Sequence, residues 1–290
     1  MATPANVPEP KSSYQVDAEN VAEMARLVRQ ARLLSEHLGL FPADLQLEQK
    51  HDILDIGCGP GEWVLEIGRR FPASRVVGID ISERMIAYAQ YCARDRQISN
   101  VQFQVMDARQ PLAFPAASFD VIHARFITGF LATSTWPVVL SECFRLLRPG
   151  GMICNTEFEE LGITTSPALA QYNRLLIEAA RRAGQCFAPV GDYYGITAVQ
   201  ARLLQEAGFQ GIRQQAHVIN YSAGMPAHKG MYENFSAFLQ LVQPFLVRSG
   251  ITTQEDIAIL YARTMEEMQD DDFCAVAFFQ SVWGSKPEEG

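Results

Sequence analysis

Residues 51–61 read HDILDIGCGPG, and this stretch decides the fold. A short apolar run from Ile53 to Ile56 leads into glycines at alternate positions, and helix-like sequence continues from Glu62 to Phe71. An apolar run that ends in glycines is typical of a buried parallel strand entering a tight turn. The stretch therefore predicts a strand, a turn and a helix whose unpaired N–H groups face a ligand.

The spacing of the glycines indicates which ligand suits this turn. Dinucleotide-binding turns follow the pattern G-x-G-x-x-G, and Glu62 stands where the third glycine would be. Asp55 precedes the first glycine by two residues, and a carboxylate there is an unfavourable neighbour for a pyrophosphate. It suits a cationic ligand, such as a sulfonium that carries an α-amino group. A tight turn that binds no ligand is the alternative.

Two further acids follow predicted strands. Residues 75–80 predict a second strand that ends at Asp80, at the distance from the turn, about 20 residues, known for acids that bind a ribose. Residues 101–106 predict a third strand, and Asp107 follows it. Asp80 is expected to accept both ribose hydroxyls, and Asp107 to accept an adenine amine while the N–H of Ala108 faces a ring nitrogen. Met85 is expected to cover the adenine, with core packing as its alternative.

Two more patterns complete this half of the chain. FDVI begins a fourth predicted strand at residues 119–123, and LLRPGG at residues 146–151 turns into a fifth at 152–158. With the glycine turn and the three acids, these patterns resemble the class I methyltransferases that use S-adenosylmethionine, over roughly residues 50–160. The closest similarity is to the small-molecule group, in the stretches GIDISERMI and HARF, although His123 replaces the asparagine usual in the second stretch.

The resemblance implies a Rossmann-like sheet of seven strands, mostly parallel, with the last strand antiparallel. It also implies that the glycine turn holds the methionine moiety of the cofactor. The residues expected to bind S-adenosylmethionine are Tyr14, Asp55, Gly57, Cys58, Gly59, Gly61, Asp80, Ile81, Met85, Met106, Asp107, Ala108, Ala124 and Arg125.

The expected reaction is an in-line methyl transfer, in which the cofactor carries the activation. A general base is useful only for a protonated acceptor. His123 and Glu157 are the candidates, because both lie near strand ends that face the ligand crevice. Arg125 is expected to pair with the methionine carboxylate. Asp192, Tyr193 and Tyr194 are expected to line the pocket.

The remaining segments are divided by pattern. Residues 1–50 are expected to form a polar tail and a helix from Asp17 to His37, with Asp17 as its N-cap. This helix either caps the cofactor pocket, with Tyr14 and Arg26 reaching it, or packs beneath the sheet. Residues 51–160 form the core, 161–221 add helices and a sixth strand, and 272–290 hold the last strand. Residues 222–271 form a helical insertion, expected to roof the pocket together with the helix at 166–183, or else to be a dimerisation arm.

Composition limits the partners. The net charge of -9 gives no basic surface for nucleic acid or an anionic membrane. The six cysteines lie too far apart for a zinc pattern, and no metal is expected. A cytoplasmic enzyme of secondary metabolism is expected, which methylates oxygen, nitrogen or carbon of a small molecule. A homodimer is one candidate assembly, and the sequence leaves the oligomeric state open. The alternatives are a macromolecular acceptor, a non-catalytic cofactor-binding subunit and, last, a nicotinamide oxidoreductase.

Overall fold

The structure, a computed structural model, describes residues 14–42 and 51–288. The strands are β1 (Asp52–Ile56), β2 (Arg75–Asp80), β3 (Val101–Val105), β4 (Phe119–Arg125), β5 (Leu147–Phe158), β6 (Ile163–Thr164), β7 (Gln210–Asn220) and β8 (Ala275–Ser285). The helices are α1 (Val21–Leu38), α2 (Glu62–Arg70), α3 (Glu83–Asp95), α4 (Trp136–Leu146), α5 (Pro167–Arg182), α6 (Ile196–Glu206), α7 (His228–Leu241), α8 (Gln243–Arg248) and α9 (Gln254–Glu267).

The strands form one mixed sheet in the order β3-β2-β1-β4-β5-β8, and β7 pairs with the other edge of β8. The first five strands run parallel, and β8 is antiparallel to both of its neighbours. This confirms the predicted Rossmann-like sheet with an antiparallel last strand. The two-residue β6 was not predicted; it continues the edge of β8 that β5 occupies.

The central strands are apolar because both faces of the sheet are covered. Val76, Val77 and Ile79 of β2 are fully buried, as continuous apolar runs in parallel sheets require. Side chains of α2 and α3 pack on one face. Side chains of α4 and α6 pack on the other. The carboxyl ends of the parallel strands are thereby held at one edge, where α/β sheets bind ligands.

A separate apolar cluster joins α1, α5, α7, α8 and α9 to β8. The segment from Ser222 to Asp272 supplies α7, α8 and α9 and lies in the chain between β7 and β8. Helix α1 packs against α7 and α2 rather than beneath the sheet. The N-terminal helix and the insertion therefore form one layer beside the strand ends.

Local boundaries differ from the predictions at two points that affect the site. Helix α1 begins at Val21 and its N-cap is Asn20, whose side chain accepts from the N–H of Ala22, so the assignment of Asp17 as N-cap is wrong. Strand β4 continues to Arg125, so His123 lies within the strand.

The predicted tail at residues 1–13 lies outside the described residues. No helix among those at 14–42 and 51–288 is long and apolar enough to cross a membrane.

Candidate active site

A cavity of about 230 Å³ lies at the carboxyl ends of the parallel strands. The glycine turn after β1 forms one side, and residues of α1 and α7 face it from the other. Thirteen predicted residues line it: Tyr14, Asp55, Gly57, Cys58, Gly59, Asp80, Ile81, Met85, Met106, Asp107, Ala108, His123 and Arg125. Gly61, Ala124 and Glu157 do not.

The glycine turn has the backbone that only glycine adopts easily. Gly57 and Gly59 have φ of +69° and +52°, in the left-handed region. The N–H of Cys58 donates to the carbonyl of Ile79 at 2.9 Å, which fixes the turn against β2. Gly61 has another role, because a Cβ there would lie 2.7 Å from the ring of Phe103. It allows α2 to pack closely against β3 and α3.

Asp80 joins two loops at the cavity wall. Its carboxylate accepts the N–H of Gly59 and the N–H of Ser82, both at 2.9 Å. Burial raises the pKa of this carboxyl, while the two backbone hydrogen bonds oppose the shift. The acid predicted to bind a ribose therefore also holds the glycine turn in place.

Asp107 forms an ion pair with Arg109, a residue that the sequence analysis did not assign to the site. The guanidinium of Arg109 donates to both carboxylate oxygens, with its Nη2 at 2.8 Å from Oδ2. Burial raises the pKa of Asp107, but the hydrogen bonds from Arg109 outweigh it and hold the pKa below its usual range. An adenine amine would share this carboxylate with Arg109.

Asp55 and His123 form a buried pair. They are register partners on β1 and β4, and Nδ1 of His123 lies 2.7 Å from Oδ1 of Asp55. The imidazole stacks on the indole of Trp63 with ring centroids 3.8 Å apart. Burial lowers the pKa of His123, although Asp55 opposes the shift. The histidine is therefore neutral at pH 7, donates to Asp55 and has a fixed ring plane.

Arg125 presents a cation to the cavity. Its hydrogen-bond partner among the described residues is the Ser35 hydroxyl, at 3.4 Å from Nη1, and no described carboxylate lies within 4.0 Å of it. Burial lowers its pKa, and Asp55 opposes this. A guanidinium remains charged in proteins, so this one requires an anionic partner. A ligand carboxylate beside the glycine turn would meet that need.

Glu157 lies beneath the cavity wall. Its carboxyl oxygens accept the N–H of Ile127 at 3.0 Å and of Thr128 at 3.3 Å. These bonds hold the segment after β4, where Phe126 has a left-handed φ of +61°. Burial raises the pKa of Glu157 to about 8. Its position at the end of β5 agrees with the prediction, but the contacts are those of a group that positions the wall.

A buried polar network supports the opposite wall. The Arg26 guanidinium donates to both carboxylate oxygens of Glu23, at 2.7 and 2.6 Å. Tyr14 donates to Glu23 at 2.7 Å, and Nη1 of Arg26 donates to the side-chain oxygen of Asn234 at 2.9 Å. Burial lowers the pKa of Arg26, but Glu23 raises it above its usual value. Tyr14 and Arg26 line the cavity as expected of a cap, and Arg26 ties α1 to α7.

The cavity continues beyond the predicted cofactor residues, over β4, β5 and β8. We call this part the acceptor half; it is lined by Phe126, Phe158, Glu160, Asn234, Phe235 and Phe279. Rings of Phe126 and Phe158 pack edge to face at 5.5 Å. The sequence analysis did not identify these residues, because an aromatic residue in a strand or an amphipathic helix usually indicates packing in the hydrophobic core. Two acids directly after β5, Glu159 and Glu160, were the available signal.

Other expectations for the pocket are wrong. Asp192, Tyr193 and Tyr194 do not line the cavity. Tyr194 is fully buried, and its hydroxyl accepts from the Gln15 side chain at 2.7 Å. Helix α5 contributes no lining residue and instead packs under α8 and α9. In the part of the chain that the structure describes, no group of three His, Cys, Asp or Glu side chains is arranged to hold a metal ion.

Comparison with known proteins agrees with this geometry. Residues 53–151 match the family model described as a methyltransferase domain. The methyltransferase pytC of Aspergillus terreus is 28% identical over 271 residues, which cover 88% of this chain and 77% of that protein. Nocamycin O-methyltransferase of Saccharothrix syringae is 39% identical over 103 residues, 35% of this chain and 36% of that protein.

A solved structure shows the same fold. The phosphoethanolamine N-methyltransferase 2 of Haemonchus contortus, in complex with phosphomonomethylethanolamine and S-adenosylhomocysteine, superposes with a TM-score of 0.54 at 18% identity. The match covers 94% of this chain and 58% of that one. The sheet and the glycine turn are those of the class I methyltransferase fold, and residues 53–151 match a methyltransferase domain. The chain is a methyltransferase that uses S-adenosylmethionine.

Proposed function

We propose that the enzyme methylates a small apolar or aromatic molecule held in the acceptor half of the cavity. The observation that carries this proposal is the lining of the cavity by α1 and α7 opposite the strand ends, where the hydrogen bond from Arg26 to Asn234 links the two helices. A covered aromatic cavity admits a small acceptor and obstructs a folded protein or a nucleic acid. The relative named for nocamycin supports the same class of acceptor.

S-adenosylmethionine, when bound, supplies an electrophilic methyl group on a sulfonium. The residues present fit it: Arg125 offers a cation to the methionine carboxylate, Asp55 an acid to its amine, and Asp80 and Asp107 acids to the ribose and adenine. Stacking on Trp63 fixes the ring of His123, and His123 in turn orients the carboxylate of Asp55. The Phe side chains of the acceptor half exclude water from the reacting atoms. We propose the predicted cofactor residues that line the cavity for these roles.

The test is transfer from S-adenosylmethionine with a trideuterated methyl group into a host extract, followed by untargeted mass spectrometry. We expect label in a low-molecular-weight compound with the wild type and none with Asp80→Ala. Asp95→Ala is the matched control, since Asp95 is an exposed acid at the end of α3. Label found only in protein or nucleic acid would overturn the proposal.

Three further points belong to the same proposal. We place the enzyme in the cytoplasm, because Cys58, Cys92 and Cys143 are buried free thiols that suit a reducing compartment. Its pathway is secondary metabolism, supported by the nocamycin relative. We treat residues 222–271 as a lid on the acceptor half, supported by the four residues of α7 that line the cavity: Met231, Asn234, Phe235 and Phe238.

A further inference from the structure

The order of the strands divides the cavity by function. Asp107, Asp80 and the glycine turn follow β3, β2 and β1, which are successive neighbours in the sheet. If the adenine lies at Asp107 and the ribose at Asp80, the sulfonium lies near β1 and β4. The acceptor must then lie over the next strands, β5 and β8. The polar groups of the acceptor half therefore report on the chemistry of the acceptor.

Asn234 is the first of these groups. Its side chain is 6% exposed and lines the cavity. The oxygen of the amide accepts from Arg26 Nη1 at 2.9 Å, and a guanidinium has only donors, so the orientation of the amide is fixed. No described residue accepts a hydrogen bond from the amide nitrogen of Asn234. A donor is thus left facing the cavity.

The network behind Asn234 holds that donor in place. Arg26 is 2% exposed and is anchored by two hydrogen bonds to the fully buried Glu23. Tyr14 donates to the same carboxylate. An amide donor that is held rigidly and faces the cavity favours a ligand that supplies an acceptor oxygen at that point. An ammonium or a hydrocarbon supplies no such oxygen.

Glu160 is the second polar group. It lies two residues after β5 and lines the cavity, and no described residue donates to its carboxylate or forms an ion pair with it. Burial raises the pKa of this carboxyl, and the negative charges of Glu159 and Asp192 raise it further. A carboxylate with a raised pKa is a better proton acceptor than an exposed carboxylate with an ordinary pKa. It suits an acceptor that must lose a proton as it reacts.

We propose that the acceptor is a hydroxy carbonyl compound, a phenol or an enol, which Asn234 binds through the carbonyl oxygen and Glu160 deprotonates at the hydroxyl. The inference rests on the proposed function. The hydroxyl oxygen forms a bond to the methyl carbon while the carbon–sulfur bond breaks. The electron pair of the carbon–sulfur bond stays on sulfur. The hydroxyl proton passes to Glu160 and then to solvent. The product is a methyl ether, and S-adenosylhomocysteine leaves as a neutral thioether.

The probes are three small aromatics: 2-hydroxyacetophenone, phenol and 2-aminoacetophenone. Binding is measured by calorimetry with S-adenosylhomocysteine present, and turnover by transfer of the labelled methyl group. We expect the wild type to bind and O-methylate 2-hydroxyacetophenone, and to bind phenol about tenfold or more weakly, since one hydrogen bond to the carbonyl is missing.

Two substitutions separate the roles. Asn234→Asp keeps an oxygen toward Arg26 and removes the amide donor, so we expect the KM for 2-hydroxyacetophenone to rise about tenfold or more. The Kd of S-adenosylhomocysteine should stay within about twofold. We expect kcat of the wild type to rise with pH as Glu160 loses its proton. Glu160→Gln should lower kcat by about 100-fold or more and abolish this rise. Gln240→Glu on the exposed side of α7 and Glu206→Gln on α6 are the matched controls.

Three outcomes overturn the inference while the proposed function stands. They are no binding of 2-hydroxyacetophenone, turnover of 2-aminoacetophenone in preference to it, and a labelled extract metabolite that lacks a carbonyl or carries the label elsewhere than on an ether oxygen. A loss of S-adenosylhomocysteine binding in Asn234→Asp would assign the amide to the cofactor and also overturns it. Label only in macromolecules would instead show that the proposed function itself fails.

Discussion

The carboxylate of Asp55 accepts a hydrogen bond from Nδ1 of His123 at 2.7 Å, and both side chains are buried. The histidine expected to act as a base therefore contacts the acid expected to bind the amine of the cofactor. Because Trp63 stacks on the imidazole, all three side chains are fixed together. We infer that His123 positions Asp55, and the following test separates this role from that of a base.

We predict that His123→Ala weakens binding of S-adenosylhomocysteine about tenfold, because Asp55 loses a charge-assisted hydrogen bond and its fixed orientation. Isothermal titration calorimetry measures this effect, and kcat at saturating cofactor is measured in parallel. A fall in kcat with an unchanged Kd would support the base predicted from the sequence. Full activity with an unchanged Kd would leave His123 without either role.

Asp80→Ala should abolish cofactor binding with the fold retained. The substitution removes the ribose partner and also frees the N–H groups of Gly59 and Ser82, so the glycine turn loses its support. We expect the Kd of S-adenosylhomocysteine to rise about 100-fold or more, as the loss of charged hydrogen bonds implies. The far-ultraviolet circular dichroism should match that of Asp95→Ala. Binding within a few-fold of the wild type would contradict the ribose assignment.

Arg125→Ala tests whether Arg125 binds the methionine carboxylate of the cofactor. We expect the affinity for S-adenosylmethionine to fall by about tenfold or more, since a buried charge pair is lost. Decarboxylated S-adenosylmethionine, which lacks only that carboxylate, should bind the wild type and the variant equally. Arg94→Ala, an exposed arginine of α3, is the control. An equal loss for both ligands would show that Arg125 supports the fold instead of the carboxylate.

The free energy of unfolding should depend on pH through Glu157. Its folded pKa of about 8 lies above the ordinary 4.5, so the folded state binds the proton more tightly than the unfolded state does. Stability from this group is therefore full below pH 4.5 and is lost as the pH rises toward 8. The loss is on the order of 5 kcal/mol, because a tenfold difference in proton affinity between the two states corresponds to about 1.4 kcal/mol.

Urea unfolding of the wild type and of Glu157→Gln between pH 5 and 9 measures this dependence. The difference between the two proteins should change steadily up to about pH 8 and then become constant. Glu206→Gln, at an exposed position of α6, should follow the wild type at every pH. Parallel curves for wild type and Glu157→Gln would mean that Glu157 is not held protonated.

Ligands should protect the insertion from proteolysis. If residues 222–271 act as a lid, S-adenosylhomocysteine and an acceptor together should slow cleavage between residues 222 and 252. Mass spectrometry of a timed digest locates the cuts. Unchanged cleavage in this segment would count against a lid and leave the dimerisation arm, which sedimentation tests directly.

The core could be predicted because each of its elements has a local cause. The strand bounds of β2 agree with the sequence prediction at both ends, since a buried parallel strand needs an unbroken apolar run and Asp80 ends it. Ser82 caps α3 by accepting the N–H of Met85, a local role that a serine directly before a helix favours. The three acids, Gly57 and Gly59 reach one cavity because the carboxyl ends of parallel strands share an edge.

The acceptor half could not be predicted, because its residues meet only through the tertiary fold. Arg26 and Asn234 are 208 residues apart in sequence, and no local pattern records their contact. Glu157 and Glu160 are close in sequence, yet one lies beneath the wall and the other lines the cavity. Glu157 lies within β5, whereas Glu160 follows the end of the strand at Phe158. The alternation of side chains along a strand therefore does not predict where Glu160 lies.

The position of β8 has a consequence for how the protein is made. This strand lies inside the sheet, between β5 and β7, but follows α7, α8 and α9 in the chain. The ribosome therefore delivers the whole insertion before the sheet can be completed. Until then the edges of β5 and β7 are open to unwanted pairing. We expect the nascent chain to depend on chaperones during this interval, and the cavity to form only once synthesis has passed β8.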